Sequence, residues 1–104
     1  MPINNDILNQ INREVKLIQP EAEIVLYGSR ARGDFKLNSD WDILVLVENH
    51  TKDNLIRLIK DKIFEIELEF EIAISTIIYE KSYWNDLSFT PFYENVSNDG
   101  IIIE

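Results

Sequence analysis

Hydrophobic residues recur along this chain at two spacings. Between residues 3 and 18 they return every three or four positions, which is the period of an amphipathic helix, and Asn4 or Asn5 is placed to cap it. Residues 23–27 (EIVLY) and 41–47 (WDILVLV) are short and almost continuously apolar, which is typical of strands covered on both faces. The pattern predicts an N-terminal helix followed by two buried strands.

The segment after the second strand is compatible with both the period of a helix and the period of a strand. From a start at Thr51 or Asp53, apolar residues continue at helical spacing to about residue 69. Residues 65–72 (EIELEFEI), however, alternate strictly between glutamate and apolar side chains, which is the period of a strand. Because neither pattern excludes the other, we predict a helix to about residue 69 and a strand from about 71 to 79.

The C-terminal third is rich in aromatic residues and contains two more segments of helical character. The second has Pro91 near its start and Gly100 just past its end, where these residues favour a helix boundary. The apolar run Ile101–Ile103 predicts a short closing strand or a tail. Helices and strands that alternate in this order predict one α/β or α+β domain over residues 1–104, with a single mixed sheet.

The composition limits the classes of function. The chain has no cysteine, which excludes disulfides and thiolate chemistry, and no apolar run near the roughly 20 residues of a transmembrane helix. Its N-terminus lacks the basic flank and apolar run of a signal peptide, so we expect a cytoplasmic protein without a membrane partner. The net charge of −9 is −2 in residues 1–52 and −7 in residues 53–104. This balance argues against direct binding of nucleic acid and suits a cation, a metal-bound ligand or a basic protein.

A glycine and a serine directly follow the first strand. Gly28 permits a sharp turn and the close approach of a ligand. A helix that begins at Ser29 would direct free backbone N–H groups and the serine hydroxyl toward an anion beyond the strand. Arg30 and Arg32 add positive charge to the same loop. These residue types in this order predict a site that binds phosphate.

Two aspartates, Asp40 and Asp42, lie one residue apart at the start of the second strand. Residues two apart in an extended segment point to the same face, so the carboxylates converge while Trp41 faces away into the packing. Two carboxylates this close repel each other unless a cation binds to them. Magnesium is usually held by one or two carboxylates together with substrate phosphates. The phosphate site and the carboxylate pair together predict a site for Mg²⁺ and a nucleoside triphosphate.

The order of these residues resembles a known signature. Gly28-Ser29, ten intervening residues and Asp40-Trp41-Asp42 resemble the motif of the nucleotidyltransferase superfamily that includes DNA polymerase beta. The stretch YGSRARGD…SDWDILV looks most like the minimal, single-domain branch, which contains the antitoxins of two-gene modules. The resemblance implies a nucleotidyltransferase fold, in which helices flank a small mixed sheet. It assigns the triphosphate to Gly28, Ser29, Arg30 and Arg32, and magnesium to Asp40 and Asp42.

The resemblance also implies a reaction and a partner. Members that resemble this chain transfer AMP from ATP to a hydroxyl by in-line attack on the α-phosphorus, with pyrophosphate leaving. In the antitoxins the acceptor is a tyrosine of a small helical protein of the HEPN type. We therefore expect a Mg²⁺-dependent adenylyltransferase that acts on such a partner. We also expect a dimer or hetero-oligomer, because the chain leaves a strand edge open and lacks a lid.

The chain departs from the superfamily pattern at the third carboxylate. The resemblance places that group on the following strand, near residues 73–75, where this chain has Ala-Ile-Ser. Glu71 shares the required face by parity and is the candidate third catalytic residue, although it is displaced along the strand. Glu67 and Glu69 would serve only if the strand began earlier than predicted. His50, the only histidine, lies in a polar turn and is not assigned to the site.

Two other functions are compatible with the sequence. A nucleotidyltransferase-like chain that has lost the third carboxylate would neutralise its helical partner by contact alone, without transfer. A small-molecule nucleotidyltransferase, acting on an aminoglycoside-like acceptor, would need a substrate-holding domain for which 104 residues leave no room outside an oligomer. Substituting both aspartates by asparagine distinguishes the enzyme from the contact inhibitor, because only the enzyme would lose its function.

Overall fold

The structure, a computed structural model, describes residues 5–104, so the predicted cap at Asn4 lies outside the described residues, as does the side chain of Asn5. Within residues 5–104, no helix combines the length and the apolar character needed to cross a bilayer. In chain order the elements are α1 (Asn5–Ile18), β1 (Glu23–Tyr27), α2 (Ser29–Arg32), β2 (Trp41–Val47), α3 (Asp53–Phe70), β3 (Ile74–Glu80), α4 (Lys81–Asp86), α5 (Pro91–Asp99) and β4 (Ile101–Ile103).

The strands form one mixed sheet in the order β3-β2-β1-β4. β1 runs antiparallel to both β2 and β4, whereas β2 and β3 are parallel. A parallel pair needs a crossover connection, and α3 supplies it. The predicted α/β fold with a small mixed sheet flanked by helices is confirmed, and β4 joins the sheet as its second edge.

Side chains of β2 alternate between two apolar layers. Ile43 and Val45 pack in the layer that contains α1 and α3, together with Trp41, which is 2% exposed. Leu44 and Leu46 pack in the layer on the other face, with side chains of α4 and α5. The prediction of a strand covered on both faces is confirmed, and Trp41 does face into the core. By the same alternation, the side chains of even-numbered residues at the start of β2 point toward the face of the sheet that α4 and α5 cover.

The buried face of α3 shows which of the two periods governs this segment. Its buried residues lie at helical spacing and pack beneath the sheet; they are Ile59, Ile63 and Ile66. Leu68, an apolar member of the alternating run, is instead 63% exposed. The alternation of glutamate and apolar residues therefore does not produce a buried strand face, because the segment belongs to a helix that buries one side only.

The boundary between α3 and β3 differs from the prediction. α3 continues to Phe70, and β3 begins at Ile74, three residues later than expected. Glu71 lies between them in the left-handed conformation that ends α3 (φ 53°, ψ 49°), and its backbone N–H donates to the carbonyl oxygen of Glu67. The prediction that Glu71 is a strand residue is therefore wrong. The core contacts of the helical face keep the chain helical until the turn at Glu71.

The boundaries of α5 follow the residues that predict them. Thr90 caps the helix by accepting a hydrogen bond from a backbone N–H in the first turn (3.2 Å), and Pro91 is its first residue. A Cβ at Gly100 would overlap the carbonyl oxygen of Val96 and would lie 2.9 Å from Cγ1 of Val25. Only glycine therefore lets the chain pass this close to β1, and β4 begins at the next residue.

Candidate active site

The turn after β1 is built around Gly28. This residue adopts φ 75° and ψ −157°, a backbone conformation that residues other than glycine rarely adopt. α2 begins at the next residue, Ser29, as the sequence predicts. The backbone N–H groups of Ala31 and Arg32 both donate hydrogen bonds to the carbonyl oxygen of Gly28, each at 3.1 Å, and these bonds close the turn. A Cβ at Gly28 would overlap Oδ2 of Asp42. The turn and the Asp42 carboxylate are thus in direct contact.

Three polar side chains meet at the start of β2. Asp42 is paired with Tyr27 of β1 on one side and with Ser75 of β3 on the other. Asp40 lies just before the strand, and Ser75 Oγ donates a hydrogen bond to its Oδ2 atom at 3.3 Å. The two aspartates and the Ser75 hydroxyl therefore form one oxygen-rich group beside the Gly28 turn.

The charges in this group act on one another. The pKa of Asp42 is raised above its usual value, first by partial burial and then by the negative charge of Asp40, while the positive charge of Arg32 acts in the opposite direction. Burial also raises the pKa of Tyr27, with further contributions from Asp42 and Tyr79. The site therefore carries excess negative charge that a bound cation would offset.

The donor set fits a magnesium ion that shares its coordination with a substrate. Asp40 and Asp42 offer carboxylate oxygens and Ser75 a hydroxyl oxygen, which are the hard ligands that Mg²⁺ prefers. Over residues 5–104, no three His, Cys, Asp or Glu side chains are grouped closely enough to hold a metal by themselves. A metal here would complete its coordination with water and phosphate oxygens, as Mg²⁺ does at nucleotide sites.

Glu71, the expected third carboxylate, lies outside this group of side chains. It ends α3 and is not part of β3, so the parity argument that placed it beside the aspartates no longer holds. The Glu67 carboxylate accepts a hydrogen bond from the backbone N–H of Ile74, the first residue of β3 (2.9 Å). The strand register instead places Ser75 opposite Asp42. The sequence predicts the third carboxylate position near residues 73–75, which includes Ser75, but the contact of Ser75 with Asp40 depends on where β3 begins.

The two arginines of the motif have different surroundings. The Arg30 guanidinium donates to backbone carbonyl oxygens of the loop that precedes β2, at 3.0 and 3.1 Å for Ser39. Arg32 is 45% exposed and forms ion pairs with Asp34 (3.2 Å) and Asp99 (3.9 Å). Exposed ion pairs of this kind contribute little to stability. The charge of Arg32 also lowers the pKa of Asp42, which places it near the carboxylate group.

The fold and the site together define a nucleotidyltransferase domain. A family model described as a nucleotidyltransferase domain matches residues 8–103, and the chain therefore belongs to this family. A relative from Methanocaldococcus jannaschii, provisionally named a protein adenylyltransferase, is 32% identical over 102 residues, which cover 92% of this chain and 94% of the relative. A crystal structure of a toxin–antitoxin with AMP-PNP has a similar fold, with a TM-score of 0.66 and 22% identity over 93% of this chain and 72% of that one.

The raised pKa of Asp42 predicts how the stability of the metal-free protein depends on pH. The folded protein holds the Asp42 proton more tightly than the unfolded chain, so stability is gained as the pH falls from above the folded pKa towards the unfolded value. Asp42→Asn removes the charge, and we expect this variant to melt at a higher temperature than the wild type in EDTA at neutral pH. The difference should shrink as the pH is lowered through the titration of Asp42.

Asp34→Asn is the matched control for this measurement. Asp34 is another acidic residue near the site, but it is exposed whereas Asp42 is partly buried, and its neighbour is the positive Arg32 and not a second carboxylate. We therefore expect Asp34→Asn to bring no increase in melting temperature at any pH. An Asp42→Asn protein that melts at or below the wild-type temperature throughout the pH series would contradict a raised pKa of Asp42 caused by partial burial and by the charge of Asp40.

The strand register predicts that Ser75→Asp creates a three-carboxylate metal site. An aspartate at this position would lie opposite Asp42 and near Asp40, so we expect Mn²⁺ to bind at least about tenfold more tightly, or roughly 1.4 kcal/mol. The metal-free variant should be less stable than the wild type, because a third negative charge joins the group. Calorimetric titration with Mn²⁺ measures the first effect, and Ser75→Asn is the uncharged control. Equal Mn²⁺ affinities of the two variants would contradict the register at this site.

Proposed function

We propose that this protein transfers AMP from Mg²⁺-bound ATP to a hydroxyl group, and that the acceptor is a tyrosine of a small helical partner of the HEPN type. It would act as the antitoxin of a two-gene module. One observation carries the proposal: the Asp42 carboxylate touches the Gly28 turn, which supports a single site formed by the predicted phosphate-binding turn and the predicted metal ligands. The name of the archaeal relative supports protein as the acceptor, and the toxin–antitoxin structure with AMP-PNP, an ATP analogue, supports the nucleotide and the setting.

Each site residue has a role in this reaction that follows from its position. Asp40 and Asp42 would hold Mg²⁺, which when bound neutralises phosphate charge and supports in-line displacement. The backbone N–H groups after Gly28 and the Ser29 hydroxyl would bind the triphosphate. Arg32 would leave its exposed ion pairs to bind the phosphates and stabilise the charge that develops on pyrophosphate.

The bond changes of the proposed reaction are those of an in-line displacement. The acceptor hydroxyl loses its proton to water, and its oxygen forms a bond to the α-phosphorus. The bond from that phosphorus to the oxygen bridging to the β-phosphate breaks, and pyrophosphate leaves. No residue is assigned as general base, because Ser75 occupies the place opposite Asp42, and its hydroxyl donates a hydrogen bond to Asp40. A protein that modifies a stoichiometric partner needs few turnovers, so slow transfer is compatible with the role.

The second candidate function is neutralisation of the partner by contact alone. It is favoured by one observation, the hydroxyl of Ser75 at the strand position where a third carboxylate would face the metal. In this alternative the site would bind a nucleotide without transferring it. The proposal also includes a cytoplasmic location, where ATP and Mg²⁺ are available, and a dimeric or heteromeric assembly. The assembly is supported by β3, an edge strand whose residues after Ile74 are only partly covered.

Affinity purification from the native host, followed by intact-mass spectrometry of the proteins that co-elute, tests both functions. Under the proposal, a small helical partner carries one or more AMP-sized mass additions when purified with the wild type. The additions disappear with the Asp40→Asn/Asp42→Asn protein and remain with Asp34→Asn as the charge control. A partner that co-elutes unmodified with all three proteins would contradict transfer and establish neutralisation by contact.

A further inference from the structure

The Arg30 guanidinium donates hydrogen bonds to the loop of residues 34–39 and lies over the rings of Phe35 and Trp41. Its Nε and Nη2 atoms donate to the carbonyl oxygen of Ser39 at 3.1 and 3.0 Å, and Nη2 also donates to the carbonyl oxygen of Leu37 at 3.1 Å. The guanidinium carbon lies 4.6 Å from the ring centroid of Phe35 and 4.3 Å from that of Trp41. Among side chains, only the planar guanidinium of arginine can stack on aromatic rings and donate several hydrogen bonds in its own plane at the same time.

These contacts hold the chain on both sides of Asp40. The Ser39 carbonyl belongs to the peptide bond that leads into Asp40, and Trp41 is the residue that follows. Trp41 is 2% exposed and packs in the core, so Arg30 ties the loop to a fixed part of the fold. The Asp40 carboxylate is itself held by a long hydrogen bond from Ser75 (3.3 Å). Its position therefore depends on the backbone that Arg30 fixes.

We propose that Arg30 is a positioning residue, which fixes Asp40 for metal binding through the Ser39 carbonyl and the Trp41 ring and does not bind the phosphates. The inference rests on the proposed function only in taking Asp40 as a metal ligand. The sequence pattern alone placed Arg30 and Arg32 together beside the phosphates. The structure separates them, because Arg30 is engaged with the loop while Arg32 is 45% exposed at the edge of the site.

The two arginines should therefore fail in different ways when they are replaced. Residues that orient metal ligands change metal affinity or activity by about 10- to 100-fold when mutated. For Arg30→Ala we expect Mn²⁺ to bind about tenfold or more weakly in the absence of nucleotide, and kcat to fall while the KM for ATP changes little. For Arg32→Ala we expect the KM for ATP to rise, with Mn²⁺ alone bound at least as tightly as by the wild type.

The deciding experiment is a calorimetric titration of the full chain with Mn²⁺ in the absence of nucleotide, after circular dichroism has confirmed that each variant is folded. Arg30→Lys keeps the positive charge but loses the fork and the stacking, so we expect it to bind Mn²⁺ as weakly as Arg30→Ala. If Arg30→Ala does not fold, Arg30→Lys carries the test together with Phe35→Leu, which removes one stacked ring and should weaken Mn²⁺ binding less.

Wild-type Mn²⁺ affinity in the folded Arg30 variants would overturn the inference, and so would a full rescue by lysine, which would assign Arg30 a role through charge alone. Because the titration needs no transfer, a wild type that binds Mn²⁺ but modifies no acceptor would contradict the proposed function and still decide the role of Arg30. A wild type that binds no Mn²⁺ would contradict both.

Discussion

Asp42→Asn is expected to abolish AMP transfer, lowering kcat/KM by about a thousandfold or more. A neutral amide is a poorer ligand for Mg²⁺ than a carboxylate, and the charge stabilisation that a bound metal supplies is worth several kcal/mol. A loss of roughly 4 kcal/mol corresponds to a factor of about a thousand in rate. Release of pyrophosphate and labelling of the purified partner with AMP both measure the effect. The same substitution should raise the melting temperature of the metal-free protein, which separates loss of the site from loss of the fold.

Asp34→Asn is again the control, because it removes a nearby exposed carboxylate without touching the paired aspartates. We expect it to keep activity within a few-fold of the wild type. An Asp42→Asn protein that retains more than a tenth of wild-type activity would show that Asp42 is not required for metal-dependent transfer. The Gly28–Asp42 contact would then be a feature of packing only.

Gly28→Ala should cost about a hundredfold in activity. The added Cβ would overlap Oδ2 of Asp42 and lie 3.1 Å from its Cγ, so either the turn or the carboxylate must move. A displacement of about 1 Å within a catalytic group is enough for a hundredfold loss. Alanine at this positive φ of 75° also strains the backbone, which adds a loss of stability of about 1 kcal/mol or more.

Gly33→Ala separates these two causes. Gly33 also has a positive φ, 87°, but a Cβ there would meet nothing within 4 Å. With ψ 6° it lies in the left-handed region, which alanine tolerates better than the φ 75° and ψ −157° of Gly28, so Gly33→Ala should lose less stability than Gly28→Ala and little activity or Mn²⁺ affinity. Denaturant unfolding and initial rates on the two variants make the comparison. Equal activity losses in both would assign the effect of Gly28 to backbone strain and remove the argument from its contact with Asp42.

The sequence predicts the parts of the site that depend on short-range geometry. A sharp turn places Gly28-Ser29 directly after one strand. The period of two along an extended chain places Asp40 and Asp42 on one face at the start of the next strand. Since β1 and β2 are continuous apolar runs, their bounds, Glu23–Tyr27 and Trp41–Val47, agree with the prediction. The nucleotidyltransferase family follows from this motif and is confirmed.

The contact of Ser75 with Asp40 requires information that the local pattern does not contain. The partner of Asp42 across the parallel pair is set by the residue at which β3 begins, and that in turn by which residues of α3 are buried. The alternating run is compatible with both a helix and a strand until the burial of Ile66 and the exposure of Leu68 are known. For this reason the sequence pattern places Glu71 in the strand, although it ends α3.

The surroundings of Arg30 could not be predicted for a different reason. A polar, irregular loop has no period from which the direction of a side chain follows. The position of the Arg30 guanidinium over the rings of Phe35 and Trp41 depends on how that loop folds back over the start of β2. Charge alone suggested a phosphate ligand, whereas the two aromatic neighbours and the Ser39 carbonyl give the same side chain a partner within the protein.

The contact between Arg30 and Trp41 also gives the protein an intrinsic optical reporter. The two tryptophans lie on opposite faces of the sheet: Trp41 adjoins the aspartate pair, and Trp84 packs in the layer of α4 and α5. The emission wavelength of an indole responds to nearby charge, and the Trp41 ring has a guanidinium 4.3 Å from its centroid. Any ligand that shifts the segment around Asp40 is therefore expected to change the fluorescence of the unlabelled chain.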